Sequence, residues 1–202
     1  MNNSKKLILV DISEKCIEAC KERFADAQHI EYYVNSGTDL DMVEDNSVDF
    51  VFSFDSLVHA EDDVIKSYLY ELSKKLAPNG VGFIHHSNLG NYKLLTFISR
   101  LPGAIKNLSK YIGLSEKSLH WRAASMTAEK FYDYADAAGL HCLSQEIVNW
   151  HTRRMIDCMS IFTKKESIWA SDYHMILNAK FRNEAAYLKS LAELYSSEAY
   201  KK

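Results

Sequence analysis

The stretch Val48-Asp49-Phe50-Val51-Phe52-Ser53-Phe54-Asp55-Ser56-Leu57-Val58-His59 decides how the chain is read. It opens on an apolar run rich in β-branched and aromatic residues, long enough for one buried strand, and ends on polar groups that an interior holds only at a cost. The polar end is the expected working end.

From Ala60 to Ala77 the residues Val64, Tyr68, Leu69, Leu72 and Leu76 recur at helical spacing, and Pro78-Asn79-Gly80 is expected to stop that helix. Val81-Gly82-Phe83-Ile84 then reads as a second strand, ending on His85-His86-Ser87-Asn88. Strand, helix, strand makes a βαβ crossover, which brings both strand C-termini to one edge of a sheet. In open α/β sheets ligands bind at that edge.

On the N-terminal side, Lys6-Leu7-Ile8-Leu9-Val10 has the continuous apolar character of a parallel strand, with Asp11 at its end. Ser13 is placed to cap a helix from Glu14 to about Ala25, whose Ile17, Cys20 and Phe24 share a face. Ile30-Glu31-Tyr32-Tyr33-Val34 reads as another strand and Asn35-Ser36-Gly37-Thr38-Asp39 as its exit turn.

On the C-terminal side, the apolar spacing after Asn88, broken at Pro102-Gly103, suggests short helices over the sheet edge, a candidate substrate-covering insertion at about 90–120. Thr127 is the expected cap of a helix that buries Phe131, Tyr134, Ala135 and Ala138 and ends at Gly139. The runs Cys142 to Trp150 and Met155 to Thr163 are joined by four residues, which demands an antiparallel hairpin. An amphipathic helix from Asn183 to about Ser197 is free to pack on the domain or on a second copy in a homo-oligomer. The fold class expected is therefore α/β, a mostly parallel sheet with a C-terminal antiparallel hairpin. The domain is drawn at 1–166 and a C-terminal helical extension at 167–202.

Composition narrows the function classes. With 202 residues and 47% apolar content the chain supports one sizeable core. A net charge of -3 with scattered lysines and arginines argues against a nucleic-acid partner. No apolar run reaches membrane-span length, and the segment after Lys6 is too short for a secretion signal, so a cytoplasmic location is expected. The four cysteines form no CxxC pair and read as buried reduced thiols.

Three local sequences resemble, in the right order, motifs of the class I S-adenosylmethionine-dependent methyltransferases. Leu9-Val10-Asp11-Ile12-Ser13 resembles that family's second strand, Asp45-Asn46-Ser47-Val48-Asp49-Phe50-Val51 its fourth, and Leu76-Ala77-Pro78-Asn79-Gly80-Val81 the turn into its fifth. The resemblance covers roughly Leu7 to Thr163. Phe54 to His59 and Ile84 to Asn88 are further similar to small methyltransferases of glycan and polysaccharide biosynthesis. One departure stands out: no glycine precedes Gly37, whereas the family opens with a strand and a glycine-rich loop. The family's first strand lies between those ending here at Asp11 and Asp55, so a gap in the sheet is expected there, filled by a longer chain, a second chain or a changed strand order.

The resemblance implies S-adenosylmethionine as cofactor, with Asp11 accepting from its ribose hydroxyls, Ile12 and the Gly37-Thr38-Asp39 turn lying against adenine, and Phe54 and Ser56 lining the same site. Methyl transfer to a hydroxyl is an in-line displacement that needs positioning and a base. Candidate bases are His86, His59 and Asp55; His85 and His86 are neighbours on a strand and face opposite ways. His85, Asn88, His120, Trp121, Arg122, Trp150 and His151 are candidate contacts to a sugar or other small-molecule acceptor, with tryptophan for stacking and arginine or histidine for polar groups. No ligand spacing supports a metal site. Two other readings stay open: a non-catalytic relative acting as a binding or partner subunit, and a nicotinamide-dependent oxidoreductase, which also uses an acid at a second strand's end.

Overall fold

A computed structural model describes residues 4–99, 121–150 and 154–195. Strand β1 (Leu7–Asp11), helix α1 (Glu14–Arg23) and strand β2 (Ile30–Val34) form the first unit, with β1 and β2 parallel in a two-stranded sheet. Ser13 caps α1, its hydroxyl accepting from the Cys16 N–H at 3.4 Å, and Lys21 and Arg23 sit in the last turn where the helix dipole favours cations.

The second unit is β3 (Val48–Ser53), α2 (Asp62–Lys75) and β4 (Leu76–Ser87), with β3 and β4 parallel. Here β4 starts earlier than the sequence suggested. Leu76 already pairs with Val48, and the ladder resumes in shifted register at Phe50 and Val81. Pro78-Asn79-Gly80 is thus an irregularity within β4 rather than a turn ahead of it. Gly80 is needed there, since a Cβ would lie 2.5 Å from the Val48 carbonyl oxygen.

After a short helix α3 (Lys93–Ser99), the described chain resumes at Trp121 and runs through α4 (Ala128–Ala137), β5 (Leu140–Val148), β6 (Asp157–Lys164), β7 (His174–Asn178) and α5 (Phe181–Leu194). The second sheet has the order β3-β4-β6-β5-β7, in which β6 is antiparallel to both neighbours and β7 parallel to β5. The expected hairpin is present. A strand in the supposedly all-helical extension is a correction: His174-Met175-Ile176-Leu177-Asn178 is too short a run for periodicity to separate strand from helix. Most of the expected insertion, from residue 100 to 120, lies outside the described residues.

Helices α2 and α4 pack on the second sheet around Ile65, Leu69, Leu72, Phe131, Ala135, Leu140 and Phe162. Gly82 lets the Phe162 ring lie flat on β4, since a Cβ would fall 2.2 Å from it. Ile8 and Val10 of β1 join the same cluster, and the Tyr68 hydroxyl on α2 accepts from Asn35 Nδ2 at 2.8 Å. The first sheet is therefore anchored through α2 rather than through a shared ladder. Among the described residues no strand pairs with the second edge of β1 or of β3. Cys142 and Cys158 are buried as expected, and burial pushes the Cys142 thiol up to about 12; Cys16 is exposed, because α1 buries only Ile17. No helix among the described residues is long and apolar enough to cross a membrane.

Candidate active site at the sheet edge

Asp11 closes β1, and the Ser13 N–H donates to its Oδ1 at 2.7 Å, which fixes the carboxylate at the strand end. The Asn35 N–H donates to the Asp11 carbonyl at 3.2 Å, drawing the β2 exit turn alongside. Gly37 adopts φ +93°, a conformation open to glycine, and lies so close to Ile12 that a Cβ would sit 3.0 Å from Ile12 Cδ1. Ile12, 67% exposed, is left as an apolar surface beside a carboxylate. Asp39 is committed to bracing this turn: Ser36 donates to its carboxylate through both its hydroxyl and its N–H, holding it below the usual carboxylate range. Thr38 is exposed, and its carbonyl accepts from the Ser67 hydroxyl at 2.8 Å.

At the end of β3 the chain turns through Phe54-Asp55-Ser56. Asp55 takes φ +59°, a left-handed conformation that aspartate tolerates better than most side chains. Its N–H donates to His85 Nδ1 at 3.2 Å. That nitrogen must present a lone pair, so the His85 proton sits on Nε2 and is donated to Asp157 Oδ1 at 3.2 Å. Arg122 Nε also donates to Asp157 Oδ1, at 2.5 Å, while Arg122 Nη2 lies 3.6 Å from Asp55 Oδ1. The His85 and Asp157 side chains are fully buried and that of Arg122 is 7% exposed; Asp55 alone, at 53%, faces solvent. Sequence reasoning missed Asp157. Its only signal was a carboxylate inside the apolar run Ile156-Asp157-Cys158-Met159.

The other candidates divide by burial. His86 stacks on Phe131 with ring centroids 4.4 Å apart, donates from Nδ1 to the Ser87 carbonyl at 2.9 Å and accepts from the Ser160 hydroxyl at 2.8 Å. Burial pushes it down to about 4. With both nitrogens engaged and no exposed surface, it has no lone pair to offer an acceptor, which corrects its place as the favoured base. Asn88 is likewise a structural joint: its Oδ1 accepts from the Ala128 N–H and its Nδ2 donates to the Met155 carbonyl. His85 is too deeply buried for the substrate contact expected of it.

His59 is exposed, at the end of a short helical turn that Ser56 leads into, and Trp121 approaches it edge-on at 6.3 Å with 69% of its own surface exposed. Trp150 packs against Phe54 at 5.5 Å and Phe181 at 5.3 Å. His120 and His151 lie outside the described residues. The described residues hold no group of three or more metal-ligating side chains.

Residues 1–80 match a family model described as a methyltransferase domain, less than half of the chain. No curated protein matches. The fold is similar to that of the PH0226 protein from Pyrococcus horikoshii OT3 (19% identity, TM-score 0.54, covering 79% of this chain and 72% of that one). It is similar too to a SAM-dependent methyltransferase from Methanosarcina mazei (14%, 0.56, 79% and 82%) and to a TehB-like SAM-dependent methyltransferase from Corynebacterium glutamicum (13%, 0.50, 79% and 68%). The family match and the topology agree with the resemblance of the three motifs. The chain carries the Rossmann-like fold of the class I S-adenosylmethionine-dependent methyltransferases.

Proposed function

We propose that this methyltransferase-fold chain transfers a methyl group from S-adenosylmethionine to a hydroxyl of a sugar or other small polyhydroxylated acceptor. The observation that carries the reading is the pairing of two carboxylates at strand ends, Asp11 beside the exposed Ile12 and Gly37, and Asp55 beside Arg122. The first group fits the cofactor, with a short acid to accept from two ribose hydroxyls and a flat apolar surface for adenine. S-adenosylmethionine supplies an electrophilic methyl on a cationic sulfonium.

Asp55 takes the proton of the acceptor hydroxyl as the carbon–oxygen bond forms and the methyl–sulfur bond breaks, its electron pair staying on sulfur, a general-base task worth roughly 10²–10⁴-fold in rate. Arg122 balances the Asp55 charge between turnovers, and it is neutral overall with Asp55 alone but outnumbered once Asp157 is counted, which favours a neutral acceptor over an anionic one. Trp121 and His59 offer an exposed aromatic surface of the kind that stacks on a sugar ring. His59 is the alternative base.

The test is transfer of isotopically labelled methyl from S-adenosylmethionine to a panel of free sugars and glycosides. The reading expects a labelled product whose formation falls at least a hundredfold in Asp55→Asn; an undiminished rate in that variant removes Asp55 from the chemistry. A second reading, a non-catalytic partner subunit, is favoured by the two separate ladders seen among the described residues. Cofactor affinity separates the two.

A further inference from the structure

We propose that His85, backed by Asp157 and Arg122, is a positioning residue that holds the Asp55 backbone in its left-handed conformation and so aims the Asp55 carboxylate out of the sheet edge; this rests on the reading of Asp55 as the base. Four observations converge on it. Asp55 is one of only two non-glycine residues with positive φ in the described structure, and such a conformation persists only where its surroundings over-determine it. The group that fixes it is a side chain thirty residues away, since the Asp55 N–H donates to His85 Nδ1.

That imidazole is itself oriented from behind. Asp157 Oδ1 accepts from His85 Nε2 and from Arg122 Nε, which sets the ring plane and keeps the Nδ1 lone pair pointed at Asp55. Arg122 then closes the circuit by reaching the Asp55 carboxylate itself. The fourth observation weighs against a purely structural role. Asp157 Oδ2 is buried with no partner among the described residues, and a half-satisfied buried carboxylate costs stability that an apolar residue of similar size would not.

Two near-isosteric variants separate the two halves of the device. His85→Gln places its amide near the former Nε2, so it keeps a donor for Asp157 and loses the acceptor for Asp55. His85→Asn does the opposite. Nuclear magnetic resonance of uniformly ¹⁵N-labelled protein reads the key bond directly, as scalar coupling between the Asp55 amide nitrogen and His85 Nδ1, while the Asp55 Cβ shift and HN–Hα coupling report φ.

The proposal expects the coupling in the wild type. It expects Asp55 to leave positive φ in His85→Gln with little change in melting temperature, and to keep it in His85→Asn with a lower one. With an acceptor in hand, kcat falls tenfold or more in His85→Gln at unchanged KM for the cofactor, and less in His85→Asn. A wild type without the coupling, or an Asp55 φ unmoved in His85→Gln, overturns the assignment. Coupling present in a chain that transfers no methyl would instead sink the catalytic reading of Asp55 and leave the structural relay standing.

Discussion

Strands β3 and β6 invert what their compositions suggest. β3, Val48–Ser53, is the more apolar and aromatic, yet Phe50 and Phe52 are 60% and 64% exposed. β6, Asp157–Lys164, contains an aspartate, a serine and a threonine, and all three are fully buried. The cause is the neighbours. β6 lies between β4 and β5 under the α4 side of the core, and each of these side chains makes at least one hydrogen bond: Asp157 through Oδ1 with Arg122 and His85, Ser160 with His86 and Gln145, and Thr163 donating to the Gly80 carbonyl at 2.7 Å. Among the described residues β3 has a ladder on one side only. Burial in this chain is set by what flanks a strand, and the strand's own sequence is a poor guide to it.

The largest expected effect tests that contrast at two phenylalanines. Phe162→Ala removes a fully buried ring lying on Gly82 and is expected to cost about 3–5 kcal/mol. Phe52→Ser, on the exposed strand, is expected to change stability by no more than about 0.5 kcal/mol. Urea unfolding of both variants checks this, and equal costs would mean that β3 is covered in solution.

A second effect arises where β6 meets His86. Its folded-state value near 4 lies below the ordinary 6.5, so the unfolded chain binds the extra proton between those limits. Stability is therefore full above pH 6.5 and falls as pH drops toward 4, by roughly 3 kcal/mol at about 1.4 kcal/mol per unit. In His86→Gln this part of the pH slope disappears, whatever the variant's absolute stability. Unfolding measured across pH 4–7 compares the slopes.

The smallest effect concerns helix caps. Thr127, buried, accepts from the Lys130 N–H at 3.0 Å, whereas Ser13 is half-buried and makes a solvent-exposed 3.4 Å bond. Thr127→Ala is expected to cost about 1 kcal/mol and Ser13→Ala less, readable as a difference in melting temperature.

Much of the fold was legible because local chemistry and tertiary context agreed. The strand ending at Asp11, the caps at Ser13 and Thr127, the α2 stripe and the hairpin all follow from periodicity and turn residues. Two elements were not. Pro78-Asn79-Gly80 has the chemistry of a stop signal, and only pairing with Val48 turns it into part of a strand. β7 is a five-residue edge with exposed apolar side chains, so it carries no alternation to read.

The site divides the same way. Asp11, Gly37 and Asp55 stand at strand ends, where the topology announces them. That both adjacent histidines are buried, His85 on Asp157 and His86 on Ser160, depends on partners about seventy residues away in sequence, and no local pattern encodes that.

The proposed transfer stands on a cofactor site at the Asp11 end of β1. Calorimetric titration with S-adenosylhomocysteine, run beside Asp11→Ala, tests it most directly. Saturable binding by the wild type is expected, weakened at least tenfold in a variant that melts at the same temperature. No binding by a folded wild-type chain, or equal binding by both proteins, would contradict it.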